Sequence, residues 1–217
     1  GAPMPRHRHP DPYMAIVVEG GYQEAGDTGR LDARPGDTLL HAAFDAHRDA
    51  FLPRGASVLN LPLDCAATSG FGAIDDVDAI VALAERDPWL ASRHVLVSMT
   101  QGAALLGDWP DLLARALRDD PDLAIADWAE RMGLSPASVS RGFSRAYGVS
   151  PKRYRLEARA RQAVQRLRSW PGSLADLSAR LGFSDQAHMS RVVAAITGLT
   201  PALLRVKSVQ ASALRAR

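Results

Sequence analysis

The chain has one cysteine, Cys65, among 217 residues. A single thiol excludes a disulfide framework and any CxxC zinc motif, and it suits a reducing compartment. Cys65 itself reads as a small packed hydrophobe or an inert surface thiol. No stretch approaches the ~20 apolar residues of a membrane-spanning helix, and the first residues lack a signal-peptide core. The expected setting is therefore the cytoplasm, with no membrane partner. Also missing is any nucleophile–base constellation or matched carboxylate pair, so catalysis is not expected.

Net charge is nearly absent as well, at +2, but its distribution is lopsided. Through Trp109, Lys+Arg number 8 against 15 Asp+Glu, a balance of −7; from Pro110 onward they number 18 against 9, a balance of +9. A basic half joined to an acidic half fits a nucleic-acid-binding domain attached to a sensor domain. Neutralising phosphates with those arginines would make binding salt-sensitive through counterion release. A basic face that is merely solvated would give the same count.

The most informative stretch runs from Gly182 to Arg205, GFSDQAHMSRVVAAITGLTPALLR. Leu174, Leu177, Leu181 and Phe183 lead into it; Gly182 and Ser184 break the helical run, and a second helix restarts at Asp185. Helix, Gly-containing turn, helix is the helix-turn-helix order. A second copy lies upstream. Leu123–Leu134 answers to Leu174–Phe183, Ser138–Arg145 to His188–Ala195, and the closing Gly148-Val149-Ser150-Pro151 to Gly198-Leu199-Thr200-Pro201. Arg141 and Arg191 fall at equivalent places. A duplication of about fifty residues is far more specific than one such motif.

On these residues the region from about Pro110 to Arg205 resembles the AraC/XylS family of transcription regulators. The resemblance implies two recognition helices entering adjacent major grooves of double-stranded DNA. Matched by position, Ala137, Ser138, Ser140, Arg141 and Arg145 take the reading face of the first unit. In the second, Gln186, Ala187, His188, Ser190 and Arg191 do so. Arg pairs with guanine O6/N7 and Gln with adenine N6/N7, each worth ~1–3 kcal/mol of discrimination; either Arg could instead contact phosphate. Two departures stand out: Met189 and Val193 replace usual aromatics, and Ala194 a frequent lysine, which implies a weaker grip by the second unit. The resemblance also implies an activator's contact with RNA polymerase. Between the units, Lys152–Ser169 reads as a helix of ~26 Å bearing six arginines, able to hold two reading heads about one DNA turn (~34 Å) apart. Pro171-Gly172 ends it and Ser173 caps the next helix. Val206–Arg217 reads as a frayed basic tail.

The N-terminal half reads as many short strands: Tyr13–Val18 before a Gly20-Gly21 turn, then Arg30–Ala33, Thr38–His41, His47–Leu52 and Ser57–Leu61. Short strands with Gly/Pro/Asp turns point to a small barrel or sandwich. Together with His7-x-His9, Pro35-Gly36-Asp37 and His47 they look like a cupin-type barrel. In a strand, His7 and His9 project to one face, and with His47 they could supply three ligands to zinc, iron or nickel. His41 is set aside as a fourth ligand because of the intervening loop. The place of the usual enzymatic glutamate is Tyr13, with Glu19 and Glu24 out of step. Three readings of this half stay open: a metal site, a metal-free small-molecule pocket, and a degenerate barrel used for dimerisation. An Arg-His-Arg-His arm lying in solvent would carry no ligand.

Leu63–Gly72 reads as a linker. Helices follow at Asp75–Glu85 and about Trp89–Leu106, a pair that packs on the barrel, forms a homodimer, or both. The expected fold is therefore α+β and multidomain. Residues 1–64 form the sensor barrel, 65–108 the helical linker with its hinge at Gly107, and 109–217 the DNA-binding domain. The first helix-turn-helix spans about 122–147, the linker helix about 151–169 and the second helix-turn-helix about 173–198. The expected function is a DNA-binding transcription regulator that senses a small molecule or metal. The alternatives are a small metal-dependent cupin enzyme with a helical appendage, or an adaptor without an effector.

Overall fold

The computed structural model describes residues 3–64, 68–102, 105–120, 122–167 and 169–205; Cys65 and the expected tail beyond Arg205 lie outside them. The chain divides into two units, Gly1–Asp111 with Arg145–Gly148, and Leu112–Ser144 with Val149–Arg217. No helix among the described residues is long and apolar enough to cross a membrane.

The first unit is one antiparallel sheet with two helices. Its strands are β1 (Met4–Arg8), β2 (Tyr13–Gly26), β3 (Arg30–Ala33), β4 (Asp37–His41), β5 (Ala46–Pro62) and β6 (Gly70–Ala73). They run β1-β5-β2-β4-β6, with β3 paired to β2. The expected barrel closure is not seen: β1 and β6 do not pair with each other among the described residues. The outer edge of β6 is instead taken by the chain beyond the helices, where Ala73 and Thr100 exchange backbone hydrogen bonds of 3.1 and 2.9 Å.

Two expected turns are not turns. β2 runs on through Gly20-Gly21, and β5 continues past Pro53-Arg54-Gly55, where residues 52–55 bulge opposite Gly21 before pairing resumes at Tyr22 and Phe51. Register slips between Val17 and Glu19 and between Gly20 and Tyr22 mark bulges at which the ribbon bends. There Gly20 has φ +71°, and a Cβ on it would stand 2.1 Å from the Gly55 carbonyl oxygen, so no larger residue fits. The bulges also reverse which residues face inward. Ala15 and Val17 share a buried cluster with Tyr22, Leu31, Ala33 and Leu39, an odd-to-even change of parity.

The other sheet face, with Met14, Ile16 and Leu61, is covered by α1 (Val77–Ala84) and α2 (Pro88–Ser98) through Ile80, Ala84, Ala91 and Val95. Asp76 caps α1 by accepting from the Ala79 amide at 2.9 Å. Asp87 caps α2, with Pro88 in its first turn. α2 ends at Ser98, short of the expected Leu106, because Thr100 joins the sheet. Within the expected linker, Gly70–Ala73 forms β6 on β4.

The second unit is helical: α3 (Trp109–Asp119), α4 (Ile125–Arg131), α5 (Pro136–Tyr147), α6 (Pro151–Leu167), α7 (Leu174–Arg180) and α8 (Gln186–Thr197). Around α6 two small cores form. Tyr154, wholly buried, meets Phe143 of α5 edge-on at 5.4 Å between ring centres. Its hydroxyl accepts from Arg118 at 2.7 Å. Toward the other end, Ala160, Ala163 and Leu167 pack with Leu177, Leu181, Phe183, Met189, Val193 and Ile196.

Candidate functional site

The two helix-turn-helix units match in backbone detail. Gly133 and Gly182 both adopt left-handed φ, +65° and +69°. After each, an apolar residue turns its amide back to the helix, Leu134 to Ala129 O at 2.9 Å and Phe183 to Ser178 O at 3.1 Å. The second helices then start differently. Ser135 Oγ accepts from the Ser138 amide at 3.1 Å, whereas Asp185, one residue later in the matched series, accepts from the His188 amide at 2.6 Å. That interaction holds the Asp185 carboxyl below its ordinary value. Ser184 is thus an extra residue in the second turn.

Each second helix buries one face and exposes the other. Val139 and Phe143 of α5 and Met189, Val192, Val193 and Ile196 of α8 are buried. Ala137, Ser140, Arg141 and Arg145 are exposed, as are Gln186, Ala187 and Arg191, with Ser138, His188 and Ser190 half-buried. Ser138 is engaged in the cap with Ser135. The His188 ring lies edge-on to Phe183 with Nδ1 3.0 Å from Ser184 Oγ. Neither Arg141 nor Arg191 makes a hydrogen bond or ion pair within the described residues, which leaves both guanidiniums available.

In the first unit, the inward side chains of four strands converge at one end of the sheet. His47 of β5 sits opposite His7 of β1 on one side and Gly26 of β2 on the other. Two positions on, Asp49 sits opposite Glu24. His41 of β4 pairs with Tyr13 of β2 and stacks on its ring at 4.6 Å. The His47 ring centre lies 4.3 Å from His7, 4.5 Å from His41 and 5.8 Å from His9, which stands just past β1. Two triads bring ligand atoms within 4.8 Å of one another, His7/His9/His47 and Glu24/His47/Asp49.

Burial governs the protonation of this cluster. It lowers His41 to about 4 and His47 to about 2, so both imidazoles are neutral lone-pair donors at neutral pH. Burial, reinforced by Asp49 and by Asp45 and Asp27, pushes Glu24 well above the carboxylate range, and burial raises Asp49 to about 6. His9 is lowered by burial and by His7. His7 Nδ1 lies 2.9 Å from the Pro5 carbonyl, which can only accept, so a neutral His7 keeps its lone pair on Nε2. A small cavity of about 10 Å³ adjoins Glu24, His41 and His47. An open groove of about 380 Å³ runs past His9, Tyr13 and Asn60.

A helix-turn-helix domain family matches residues 128–207, spanning both units' second helices. The arabinose operon regulatory protein of Escherichia coli strain K12 is 33% identical over 86 residues, 40% of this chain. Over this region the chain is similar to that regulator. It spans 30% of the length of that relative. Among solved structures, ToxT of Vibrio cholerae, crystallised with an unsaturated fatty acid, is 10% identical over 93% of this chain and 89% of its own, with a TM-score of 0.44. An AraC-type DNA-binding regulator of Chromobacterium violaceum is 26% identical over 45% of this chain and 89% of its own, TM-score 0.42.

The structure brings His7, His9 and His47 together, as their spacing leads one to expect. It corrects two other expectations. His41 is a neighbour of His47 after all, because β4 and β5 both pair with β2. Glu24 is not out of step: the bulges in β2 shift its parity and swing it inward beside His47. Asp49 is a further member of the cluster, marked in the sequence only by its even offset from His47 along one strand. The arginine-rich α6 also differs from a uniformly exposed rod. Arg155 donates to Leu123 O at 2.7 Å, Arg159 to Gly182 O at 2.5 Å, and Arg153 pairs with a buried Glu157 at 2.7 Å.

Proposed function

We propose that this chain is a sequence-specific, duplex-DNA-binding transcription regulator whose N-terminal unit responds to an effector. The observation that carries the reading is the repeated solvent face of α5 and α8. Each helix exposes an arginine at the matched position, Arg141 or Arg191, while its opposite side is wholly buried. Exposed guanidiniums without internal partners, beside small residues such as Ala137 and Ala187, suit close approach to base edges. Gln186, Ser140 and Ser190 supply further hydrogen-bonding groups, and Arg145, Ser138 and His188 flank them. Residues 109–217 make up this reading domain.

The effector site belongs to the end of the sheet where His7, His9 and His47 meet. A divalent metal such as zinc, iron or nickel is one effector class for neutral imidazoles; the groove beside His9 has the volume of a small-molecule pocket. A contact with RNA polymerase and a homodimer through α1 and α2 are the family-implied extensions of this reading. The test is selection of bound duplexes from a random pool by the full chain, followed by fluorescence anisotropy. A recovered consensus is expected, bound at least a thousandfold more tightly than random duplex, roughly the lower bound for specific sites. Binding of equal strength to every duplex would overturn the reading.

A further inference from the structure

We propose that the buried triad Glu24, His47 and Asp49, with His41 beside it, is a binding site for one divalent transition-metal ion, distinct in its inner ligands from the outer His7/His9 pair. This names an effector class and rests on the regulatory reading only for its consequence on DNA; ion binding stands on the geometry of the first unit alone.

The argument begins with two carboxylates. Glu24 and Asp49 lie directly opposite each other on β2 and β5, and both are over nine-tenths buried, at 4% and 7% exposure. Like charges at such paired positions repel, and a buried charge without a partner is costly. Neither carboxylate forms an ion pair with Lys or Arg among the described residues; the basic neighbours within 4 Å are the imidazoles of His41 and His47.

The second observation concerns unsatisfied atoms. His41 Nε2, His47 Nδ1 and Asp49 Oδ1 are buried without a hydrogen-bond partner. His41 Nε2 is 3.6 Å from Glu24 Oε2, beyond hydrogen-bonding reach. Buried polar atoms normally find partners, and several left over in one place call for something to meet them. The cavity lined by Glu24, His41 and His47, about 10 Å³, holds on the order of one water-sized particle. It is too small for an organic effector and the right size for an ion. One imidazole nitrogen and two carboxylates, with the His41 ring beside them, form a mixed N/O set, which suits zinc, iron(II), manganese or nickel rather than calcium or magnesium.

The experiment uses the full chain, stripped with chelator and titrated with Co²⁺, with visible absorption, thermal unfolding and elemental analysis as readouts. One Co²⁺ per chain is expected, with a tetrahedral or five-coordinate visible band and a rise in Tm. Glu24→Gln and Asp49→Asn, which keep side-chain volume, should weaken binding roughly 100-fold or more, as loss of a metal ligand does. His94→Gln, at an exposed position of α2 away from the cluster, should bind within a few-fold of the parent. Three results would overturn the proposal: no band and no Tm shift in the parent chain, binding abolished by His9→Gln but untouched by Glu24→Gln and Asp49→Asn, or variants that gain stability with no metal bound by the parent. The parent titration keeps the test decisive if a variant fails to fold. Anisotropy on a selected duplex with and without the ion separates the two readings. Selective duplex binding without ion uptake defeats this inference alone, whereas ion uptake without any duplex selectivity defeats the regulatory reading alone.

Discussion

Arg141 and Arg159 show how differently one residue type is used a few helical turns apart. Arg141 is exposed with no partner among the described residues, while Arg159 is half-buried over Gly182 and donates to its carbonyl. Changing Arg141 to Ala should therefore leave the fold intact and cost about 1–3 kcal/mol in discrimination at one base pair. Anisotropy against single-substituted duplexes would read that loss; equal weakening on every duplex would assign Arg141 to phosphate. Changing Gly182 to Ala should act on folding instead. Its φ of +69° costs a β-carbon about 1–2 kcal/mol, and that carbon would press within 3.2 Å of the Arg159 guanidinium. The matched change at Gly133, where the space is open, should cost only the backbone part, and urea unfolding of the two variants makes the comparison. Residue types of this kind were legible from the sequence because the duplication shows which positions correspond. Glu24 was not, since its inward direction depends on bulges that no local pattern announces.

At the scale of elements, the helix starts carry much of the local order. Ser173 caps α7 in a reciprocal box with Asp176, the Asp176 amide donating to Ser173 Oγ at 3.1 Å and the Ser173 amide to Asp176 Oδ2 at 3.1 Å. Ser173→Ala should destabilise the second unit by about 1 kcal/mol in chemical unfolding. Asp185 gives a pH signature. Its carboxyl is held below the ordinary 3.8 mainly by the His188 amide, so its contribution is complete above about pH 4 and is lost as pH falls through the folded value. The stability gap between the parent and Asp185→Asn should accordingly close below pH 4; a constant gap down to pH 2 would contradict the charged cap. Within α6, Tyr154→Ala should cost about 3–5 kcal/mol for the lost ring, whereas Tyr154→Phe should cost about 1 kcal/mol for the acceptor taken from Arg118. Helices were legible because caps, Pro and Gly mark their ends. The strands were read too short, because Gly20 and Gly55 look like turn residues while serving a long paired ribbon.

For the whole molecule, charge is divided by sequence, with −7 through Trp109 and +9 beyond it. Several of the arginines behind the +9 are committed to carbonyls and to Glu157, so fewer reach phosphates than the count implies. Nonspecific duplex affinity should fall with salt along a straight log–log line with slope about −0.9 per phosphate neutralised, and Arg155→Ala should leave that slope unchanged while lowering stability. A shallower slope in Arg155→Ala would show that this side chain faces DNA instead. The two-part organisation was evident from charge and duplication together. Barrel closure was not, because the outer edge of β6 is occupied by Thr100, a residue expected inside a helix.

The bulged ribbon has an evolutionary corollary. Because one surplus residue between Val17 and Tyr22 decides which side chains of the lower ribbon look inward, removing Glu19 alone would present Gln23 and Ala25 to the interior and turn Glu24 out to solvent. A single-codon deletion would thereby take Glu24 out of the acidic pocket, leaving Asp49, while every strand kept its partners. Relatives that shed or gain this one position should differ in what they sense long before they differ in how they fold.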